Sequence, residues 1–282
     1  MNSPVPLPEV SVINSTVAAS RGPIPVRLYT PATSQPRIPA TLVWVHGGAF
    51  VSGGLDQLES HAVGEALARA GFRVITVDYT LTSPMASRFV PTMLRRAALV
   101  HYPVPVNDVV AVIEQVLSND GEVIVGGASA GACLAAAALH RVGTNPRIRG
   151  AFFAYGLFHP ELPPRSREIA QRVRGLRKYV HSPSAVKLMC RHYAGSSEAL
   201  NYPDAFPGGH SLRSFPPTLM IDADHDTLRA SSEQFARELA ADGIIVEHHI
   251  MCDSRHAFLN RPEDPAFSTA LQKVVDWATL LK

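Results

Sequence analysis

The stretch EVIVGGASAGACLAAAALH, residues 122–140, joins a short apolar run to an alanine-rich helical segment through a glycine-rich turn. Its centre reads Gly-x-Ser-x-Gly, with Ser129 between Gly127 and Gly131. A serine on a sharp turn between a strand and a helix exposes its hydroxyl group, and the glycines let neighbouring backbone approach closely. A plain glycine turn with an idle serine is the alternative. The order of strand, turn and helix favours Ser129 as a nucleophile.

Short apolar runs and helical patterns alternate along the chain around this stretch. Two extended runs at 9–18 and 23–30 come first and predict a hairpin. The further predicted strands are 41–45, 73–78, 122–125, 149–155, 218–222 and 244–251, and the predicted helices are 58–70, 104–117, 130–141, 231–241 and 266–281. This alternation predicts an α/β fold with a mostly parallel central sheet and helices on both faces.

Two segments interrupt the alternation. Residues 83–102 are longer than an ordinary connection from a strand to a helix, and residues 157–215 carry helical sequence before the next strand. Insertions that leave the carboxyl ends of parallel strands can cover a ligand site. We predict one domain over residues 1–282, with an inserted cap at about 157–215 and an extra loop at about 83–102.

A nucleophilic serine needs a histidine to take its proton and a carboxylate to orient that histidine. Among the 12 histidines, His256 stands in CDSRHAFLN, just after the last predicted strand. The strand PPTLMI is followed by DADHD, which offers Asp222, Asp224 and Asp226, and the spacing leaves the choice among them open. A helix N-cap is the alternative role for Asp226. The order of serine, aspartate and histidine is that of α/β-hydrolase triads.

The loop HGGAF, residues 46–50, follows the strand LVWV. Backbone N–H groups in such a loop can point at the oxyanion that forms during acyl transfer. Glycines at these positions are also compatible with an ordinary turn. The loop therefore completes a candidate site for nucleophilic catalysis.

Taken together, these motifs resemble the hormone-sensitive lipase family of α/β-hydrolases, in its bacterial carboxylesterase branch. The resemblance covers nearly the whole chain and rests on HGGAF, VDYTL, YPVPVNDV, GASAG, FPPTLMI, DHDTL and RHAF. It implies Ser129 as nucleophile and His256 as base. It makes Asp226 the acid, because the carboxylate of the family stands two residues before a leucine, here Leu228.

The same resemblance implies an oxyanion hole formed by the N–H groups of Gly48, Ala49 and Ala130, with His46 bracing the loop. Ala49 departs from the family pattern, because the third residue of this loop is usually glycine. Its N–H group remains, but its methyl group requires a backbone angle that alanine can adopt.

Composition excludes several classes of function. A net charge of +2 provides no field that would steer nucleic acid, and no apolar run approaches the roughly 18 residues of a membrane span. The first residues lack the pattern of a signal peptide, and the three cysteines form no CxxC pair. We expect a cytoplasmic protein with reduced thiols, no metal and no organic cofactor.

The sequence thus predicts a serine carboxylesterase that hydrolyses small, short-chain acyl esters through an acyl-enzyme intermediate. Amide hydrolysis by the same triad, as in an arylformamidase or a peptidase, is one alternative, because pocket shape selects the leaving group. A ligand receptor of this fold is another, although all three triad positions hold competent residues. The apolar strand GIIVEHHIM favours either a homodimer through this strand or the adjoining helix, or burial of the strand in the core.

Overall fold

The computed structural model describes residues 9–32, 38–83, 99–119, 121–173 and 182–281. Within these ranges eight strands form one sheet in the order β1-β2-β4-β3-β5-β6-β7-β8. The strands are β1 (Val10–Val17), β2 (Ile24–Pro31), β3 (Thr41–Val45), β4 (Arg73–Val77), β5 (Val123–Ala128), β6 (Ile148–Ala154), β7 (Thr218–His225) and β8 (Val246–Arg255). β1 pairs antiparallel with β2, and β2 with β4, whereas the remaining neighbours are parallel. The predicted mostly parallel sheet is confirmed.

Helices cover both faces of this sheet. They are α1 (Leu58–Arg69), α2 (Val104–Ser118), α3 (Ala130–Val142), α4 (Arg167–Arg172), α5 (Pro183–Ala194), α6 (Arg229–Ala241) and α7 (Pro265–Ala278). None of the helices in the described ranges combines the length and the apolar character that crossing a bilayer requires.

The central strands are mostly apolar because both of their faces are buried. In β3, Leu42 and Trp44 belong to the core that α1 and α7 cover, whereas Val43 and Val45 belong to the core beneath α2, α3 and α6. This alternation explains why every residue of TLVWV is buried and why only Thr41, at its start, is polar.

The largest difference from the predicted elements concerns β7 and β8. We predicted that the strands end at residues 222 and 251, but they continue to His225 and Arg255. The two strands pair with each other beyond the predicted ends, across a register shift between Ala223 and His225. Ladder hydrogen bonds to a parallel neighbour outweigh the low strand propensity of aspartate here.

The chain between β6 and β7 holds α4, α5 and a short 3-10 turn, Ala199–Asn201. Arg141 of α3 forms an ion pair of 2.6 Å with Asp204, which ties this region to the body of the fold. Residues 174–181 of the predicted cap and residues 84–98 of the predicted extra loop lie outside the described residues. The ends of that loop are adjacent, because the N–H of Ser83 donates to the carbonyl of Val100 at 3.0 Å.

Candidate active site

Ser129 lies on a strained turn between β5 and α3, with φ 54° and ψ −118°. Non-glycine residues rarely adopt positive φ, and such strain persists only where the surroundings enforce it. Here the N–H of Ser129 donates to the carbonyl of Ala154 at 2.9 Å. A Cβ on Gly127 would lie 2.4 Å from the carbonyl oxygen of Gly131, and a Cβ on Gly131 would lie 2.2 Å from that of Val45. The two glycines are therefore required by close backbone contacts.

The predicted serine, histidine and aspartate meet in one hydrogen-bonded chain. The Oγ of Ser129 lies 3.0 Å from Nε2 of His256, and Nδ1 of His256 lies 2.5 Å from Oδ2 of Asp226. His256 directly follows β8 and Asp226 directly follows β7, so the parallel pairing of these strands brings the two side chains together. With Nδ1–H donated to Asp226, Nε2 is left to accept the serine proton.

The other two aspartates of DADHD have different partners. Asp222, within β7, accepts a hydrogen bond of 2.7 Å from Nε2 of His248. Asp224 forms an ion pair of 3.1 Å with Arg172. Only Asp226 among the three contacts the histidine that contacts Ser129, as far as the described residues show. The tertiary structure thus distinguishes three carboxylates that the sequence spacing leaves equivalent.

Asp226 is not the helix N-cap that its sequence position suggests as an alternative, because Leu228 occupies that position, but its carboxylate does hold the turn before the helix. Its Oδ1 accepts the N–H of Leu228 at 2.9 Å, immediately before α6 begins at Arg229. One oxygen thus fixes the turn into the helix while the other holds His256. The two roles support each other, because the bond to Leu228 fixes the orientation of the carboxylate.

The environment of His256 favours its protonated form. Burial by itself lowers the pKa of this imidazole, but the charge and hydrogen bond of Asp226 outweigh burial, with smaller contributions from Glu59 and Asp222. The pKa of His256 is therefore raised above its ordinary value. A histidine that takes a proton during nucleophilic attack benefits from such surroundings.

The predicted oxyanion loop begins beside Ser129 and turns sharply. Gly48 has φ 122°, Ala49 has φ 55° and Phe50 has φ 67°. The carbonyl of Gly48 accepts N–H groups from Val51 and Ser52 at 3.1 and 3.0 Å, which closes the turn. Ala49 therefore adopts a left-handed backbone angle, which its methyl group tolerates at some cost.

The N–H groups of Gly48 and Ala49 donate to no protein acceptor within the described part of the chain. Ala130 is the first residue of α3, where N–H groups have no acceptor inside the helix. The three predicted donors thus belong to two backbone segments on either side of Ser129 and are available to a ligand. His46 braces the loop from behind, since its Nδ1 contacts the carbonyl of Gly47 at 2.6 Å and its ring stacks on Tyr79.

Glu59, a buried carboxylate in the first turn of α1, also lies next to this loop and was not among the residues predicted from the sequence. Its Oε2 accepts the N–H of Gly47 at 2.6 Å, and its Oε1 accepts the hydroxyl of Tyr155 at 2.5 Å. Acidic residues are common in first turns because they complement the helix dipole, so QLESHAVG carries no signal that separates Glu59 from an exposed acid. Only the tertiary structure places it behind the oxyanion loop.

A second acidic group, Asp224 with His225 and Asp253, brings potential metal ligands within 4.8 Å of one another. The surrounding cations explain this group without a metal. Arg172 and Arg229 both form ion pairs with Asp224, at 3.1 and 3.5 Å. The cluster is therefore an ion-pair network at the end of β7.

The sequence of this chain matches a family model and is similar to two proteins named as esterases. Residues 42–260 match the sequence model of a family described by the alpha/beta hydrolase fold. The esterase LipI of Mycobacterium tuberculosis is 28% identical over 260 residues, which are 86% of this chain and 73% of LipI. The acetyl esterase of Salmonella typhi is 33% identical over 138 residues, 46% of this chain and 36% of that protein.

A solved structure shares the architecture over almost the whole chain. It is described as an esterase from the bacterial hormone-sensitive lipase family, and it superposes with a TM-score of 0.77 at 22% sequence identity. The superposition covers 98% of this chain and 86% of the other. At this level of identity, the likeness shows a common fold.

Proposed function

Because this chain belongs to the α/β-hydrolase family, as the resemblance of its motifs to hormone-sensitive lipases predicts, we propose that it is a serine carboxylesterase for small, short-chain acyl esters. It is a hydrolase that acts on carboxylic esters. The observation that carries the finer proposal is the hydrogen-bonded chain from Ser129 through His256 to Asp226. Next to these three side chains lie backbone N–H groups that can donate hydrogen bonds to an oxyanion.

Acylation begins when the Oγ of Ser129 attacks the ester carbonyl carbon and His256 takes the hydroxyl proton at Nε2. The carbonyl oxygen becomes an oxyanion, which accepts hydrogen bonds from Gly48, Ala49 and Ala130. Loss of one such donor typically lowers turnover by about 10²–10³-fold. When the intermediate collapses, His256 returns the proton to the leaving alkoxide, the alcohol departs, and the acyl group stays on Ser129.

Deacylation repeats these steps with water. His256 takes a proton from the water molecule whose oxygen attacks the acyl carbon, and a second oxyanion forms at the same N–H groups. Collapse expels the Oγ of Ser129, which recovers its proton from His256, and the carboxylic acid is released. Asp226 keeps Nδ1 protonated in both halves and stabilises the imidazolium that forms in each.

A short-chain preference has two supports. The acetyl esterase of Salmonella typhi, whose name states a short acyl group, is a relative over part of the chain. In addition, Tyr193 of α5 stacks on Phe50 with ring centroids 4.0 Å apart, and both rings are fully buried. A cap helix that packs directly on the residue after Ala49 restricts the room beside the oxyanion loop.

The deciding experiment is active-site labelling combined with a substrate panel. A fluorophosphonate should label the wild-type protein on Ser129, and p-nitrophenyl acetate and butyrate should be hydrolysed faster than anilides and formamides. Ser129→Ala should stay folded, lose the label and lose roughly four to six decades of turnover. A labelled wild type that prefers formamides would identify the amidase alternative, and a folded Ser129→Ala variant with normal turnover would contradict the proposed nucleophile.

A further inference from the structure

Glu59 is a fully buried carboxylate that the proposed triad does not use, since its side chain is 1% exposed. Three donors surround it: the N–H of Gly47 at 2.6 Å, the hydroxyl of Tyr155 at 2.5 Å and Nδ2 of Asn260 at 3.2 Å. Asn260 also accepts the backbone N–H of Glu59 at 3.0 Å, which fixes the amide orientation. A site made of donors suits an anion, and burying a charge is costly without such partners.

The first connection of Glu59 to the active site runs through Gly47. A Cβ at this position would lie 2.7 Å from Oε2 of Glu59 and 3.1 Å from Cβ of Ser129. The Gly47 peptide therefore fills the space between the carboxylate and the nucleophile. Since His46 holds the carbonyl of Gly47, both polar groups of this residue are fixed. The next two N–H groups in the chain are the proposed oxyanion donors.

The second connection runs through Tyr155 to His256. The hydroxyl of Tyr155 bonds Glu59, and its ring meets the imidazole of His256 edge-on with centroids 5.0 Å apart. The negative charge of Glu59 raises the pKa of His256, in the same direction as Asp226. In return, burial is the largest influence on Glu59 and raises its pKa above the ordinary value, while Tyr155, Gly47 and the charge of His256 offset part of this rise. The carboxylate and the imidazole thus favour each other's charged forms.

We propose that Glu59 is a positioning residue for ester hydrolysis, which holds the oxyanion loop through Gly47 and stabilises the imidazolium of His256 as a second anion. This inference rests on the proposed function. Both acylation and deacylation pass through an oxyanion and an imidazolium, so both steps depend on Glu59. The expected defect lies in the transition state and spares the binding of the ester.

Within the part of the chain that the structure describes, the groups that face His256 include Ser129 on the turn after β5, Asp226 after β7, Asp222 in β7, Glu59 in α1, Tyr155 after β6, and Arg261, whose Nη2 donates to the backbone carbonyl of His256 at 2.9 Å. A substitution of Glu59 leaves the others in place. A change in the pH profile can therefore be assigned to the lost charge.

The test is Glu59→Gln, with Glu65→Gln as the matched control. Glutamine keeps the size of the side chain and one acceptor for Gly47, but it removes the charge. Glu65 is on the same helix, partly exposed, and pairs with Arg69 away from the site. Steady-state hydrolysis of p-nitrophenyl acetate is followed against pH, and fluorophosphonate titration counts the active molecules. Circular dichroism reports the Tm.

For Glu59→Gln we expect kcat per active site to fall by about tenfold or more, with KM within about threefold of wild type. The acidic limb of kcat/KM reports the base of the free enzyme and should move to lower pH, because His256 loses an anion that raises its pKa. Glu65→Gln should keep the wild-type kinetics and profile. A purely structural role would lower the Tm without moving the acidic limb.

Two results separate this inference from the proposed function. If wild type is active but Glu59→Gln keeps its kcat and its acidic limb, the inference alone is overturned. If wild type neither hydrolyses esters nor accepts the label, the proposed function falls and this inference with it. Should Glu59→Gln fail to fold, Tyr155→Phe removes one donor to the carboxylate and keeps the ring beside His256.

In Tyr155→Phe, Glu59 loses a hydrogen bond that lowers its pKa, so it takes up a proton at higher pH than in wild type. We expect a smaller loss of kcat than for Glu59→Gln, an unchanged KM, and an acidic limb displaced to lower pH by less than in Glu59→Gln, because His256 loses part of the anion that raises its pKa. Displacements in the same direction, graded with the loss of charge on Glu59, would not follow from a loss of packing. A wild-type kcat and profile in Tyr155→Phe would overturn the inference.

Discussion

At the scale of single residues, the proposed chemistry depends on Asp226, because the two neighbouring aspartates are bonded to other side chains. Asp222 holds His248 and Asp224 holds Arg172, which leaves Asp226 for His256. The tertiary structure makes this choice, because all three aspartates follow the same predicted strand and their spacing does not separate them. Substitutions of Asp226 and of Asp224 should therefore cause different defects.

Asp226→Asn should lower turnover by about 10³–10⁴-fold, because the amide no longer selects the productive tautomer of His256. The acidic limb of the residual kcat/KM should lie at lower pH than in wild type, since the carboxylate that raises the pKa of His256 is gone. Esterase rates across pH with the purified variant check both expectations.

Asp224→Asn is the control, and it should keep turnover within about threefold of wild type. It should reduce the free energy of unfolding by roughly 1–3 kcal/mol, because Arg172 and Arg229 lose a buried partner. Urea unfolding measures this reduction. The reverse ranking of the two variants in turnover would make Asp224 the acid.

Ala49 gives a prediction about stability. Its φ of 55° lies in the left-handed region, which costs a non-glycine residue roughly 1–2 kcal/mol. After allowing for the greater freedom of glycine in the unfolded chain, Ala49→Gly should raise the free energy of unfolding by about 0.5–1 kcal/mol. Ala240→Gly, at an exposed position of α6, should lower it by up to about 1 kcal/mol. Equal losses in both variants would contradict a strained Ala49.

At the scale of secondary structure elements, connections at the carboxyl ends of the parallel strands form the site and its surroundings. The turn after β5 presents Ser129, the loop after β3 presents the N–H donors, and the ends of β7 and β8 present Asp226 and His256. Side chains meet there because parallel strands all end at one edge of the sheet. We expect substrate preference to depend on the predicted insertions at the same edge.

The predicted loop at about 83–102 is expected to limit the acyl chain. Ser83 and Val100 are hydrogen-bonded neighbours, so a short glycine-serine linker can replace residues 84–98 without opening the loop base. Wild type should show kcat/KM highest between acetyl and hexanoyl p-nitrophenyl esters, and the shortened variant should extend that range. Each methylene that a longer pocket accommodates adds up to about 0.8 kcal/mol.

An optimum at dodecanoyl esters in wild type would contradict the short-chain preference. An identical chain-length profile in the folded, shortened variant would show instead that the loop does not limit the acyl chain. Turnover of p-nitrophenyl acetate serves as the internal control, because the smallest acyl group fits in either case.

At the scale of the whole molecule, β8 is the last strand of the sheet and presents apolar side chains at its surface. Ile250 is 37% exposed, and Ile245, just before the strand, is 75% exposed. Core burial accounts for part of the apolar sequence, because Met251 is buried and Ile244 and Val246 pack against the core. It does not account for the exposed Ile245 and Ile250. An edge strand with exposed apolar residues favours association of two copies.

We therefore predict a homodimer at micromolar concentration, detected by light scattering. Ile250→Lys should yield monomers, because a charge on an edge strand opposes pairing. Ile13→Lys is the matched control, since Ile13 is 58% exposed on β1 at the opposite edge of the sheet. A wild type that stays monomeric, or equal effects of both variants, would exclude pairing through β8.

The sequence by itself determined the succession of strands and helices, because burial of both faces of a parallel sheet leaves apolar runs that local patterns reveal. It also identified Ser129, since its strained turn needs glycines at fixed neighbouring positions. The sheet order and the meeting of Ser129, Asp226 and His256 depend on contacts between residues far apart in the chain.

Only the tertiary structure decided how far β7 and β8 extend and that Glu59 is buried behind Gly47. It also separated Asp226 from Asp222 and Asp224 by contact with His256, a choice that the sequence spacing leaves open and that only the family resemblance favours. A carboxylate has the same local signature whether it orients an imidazole, pairs with an arginine or begins a helix. Its role is set by the groups that folding brings to it. Those groups come from other strands and helices, so without the resemblance to a known family no local pattern in the sequence carries that information.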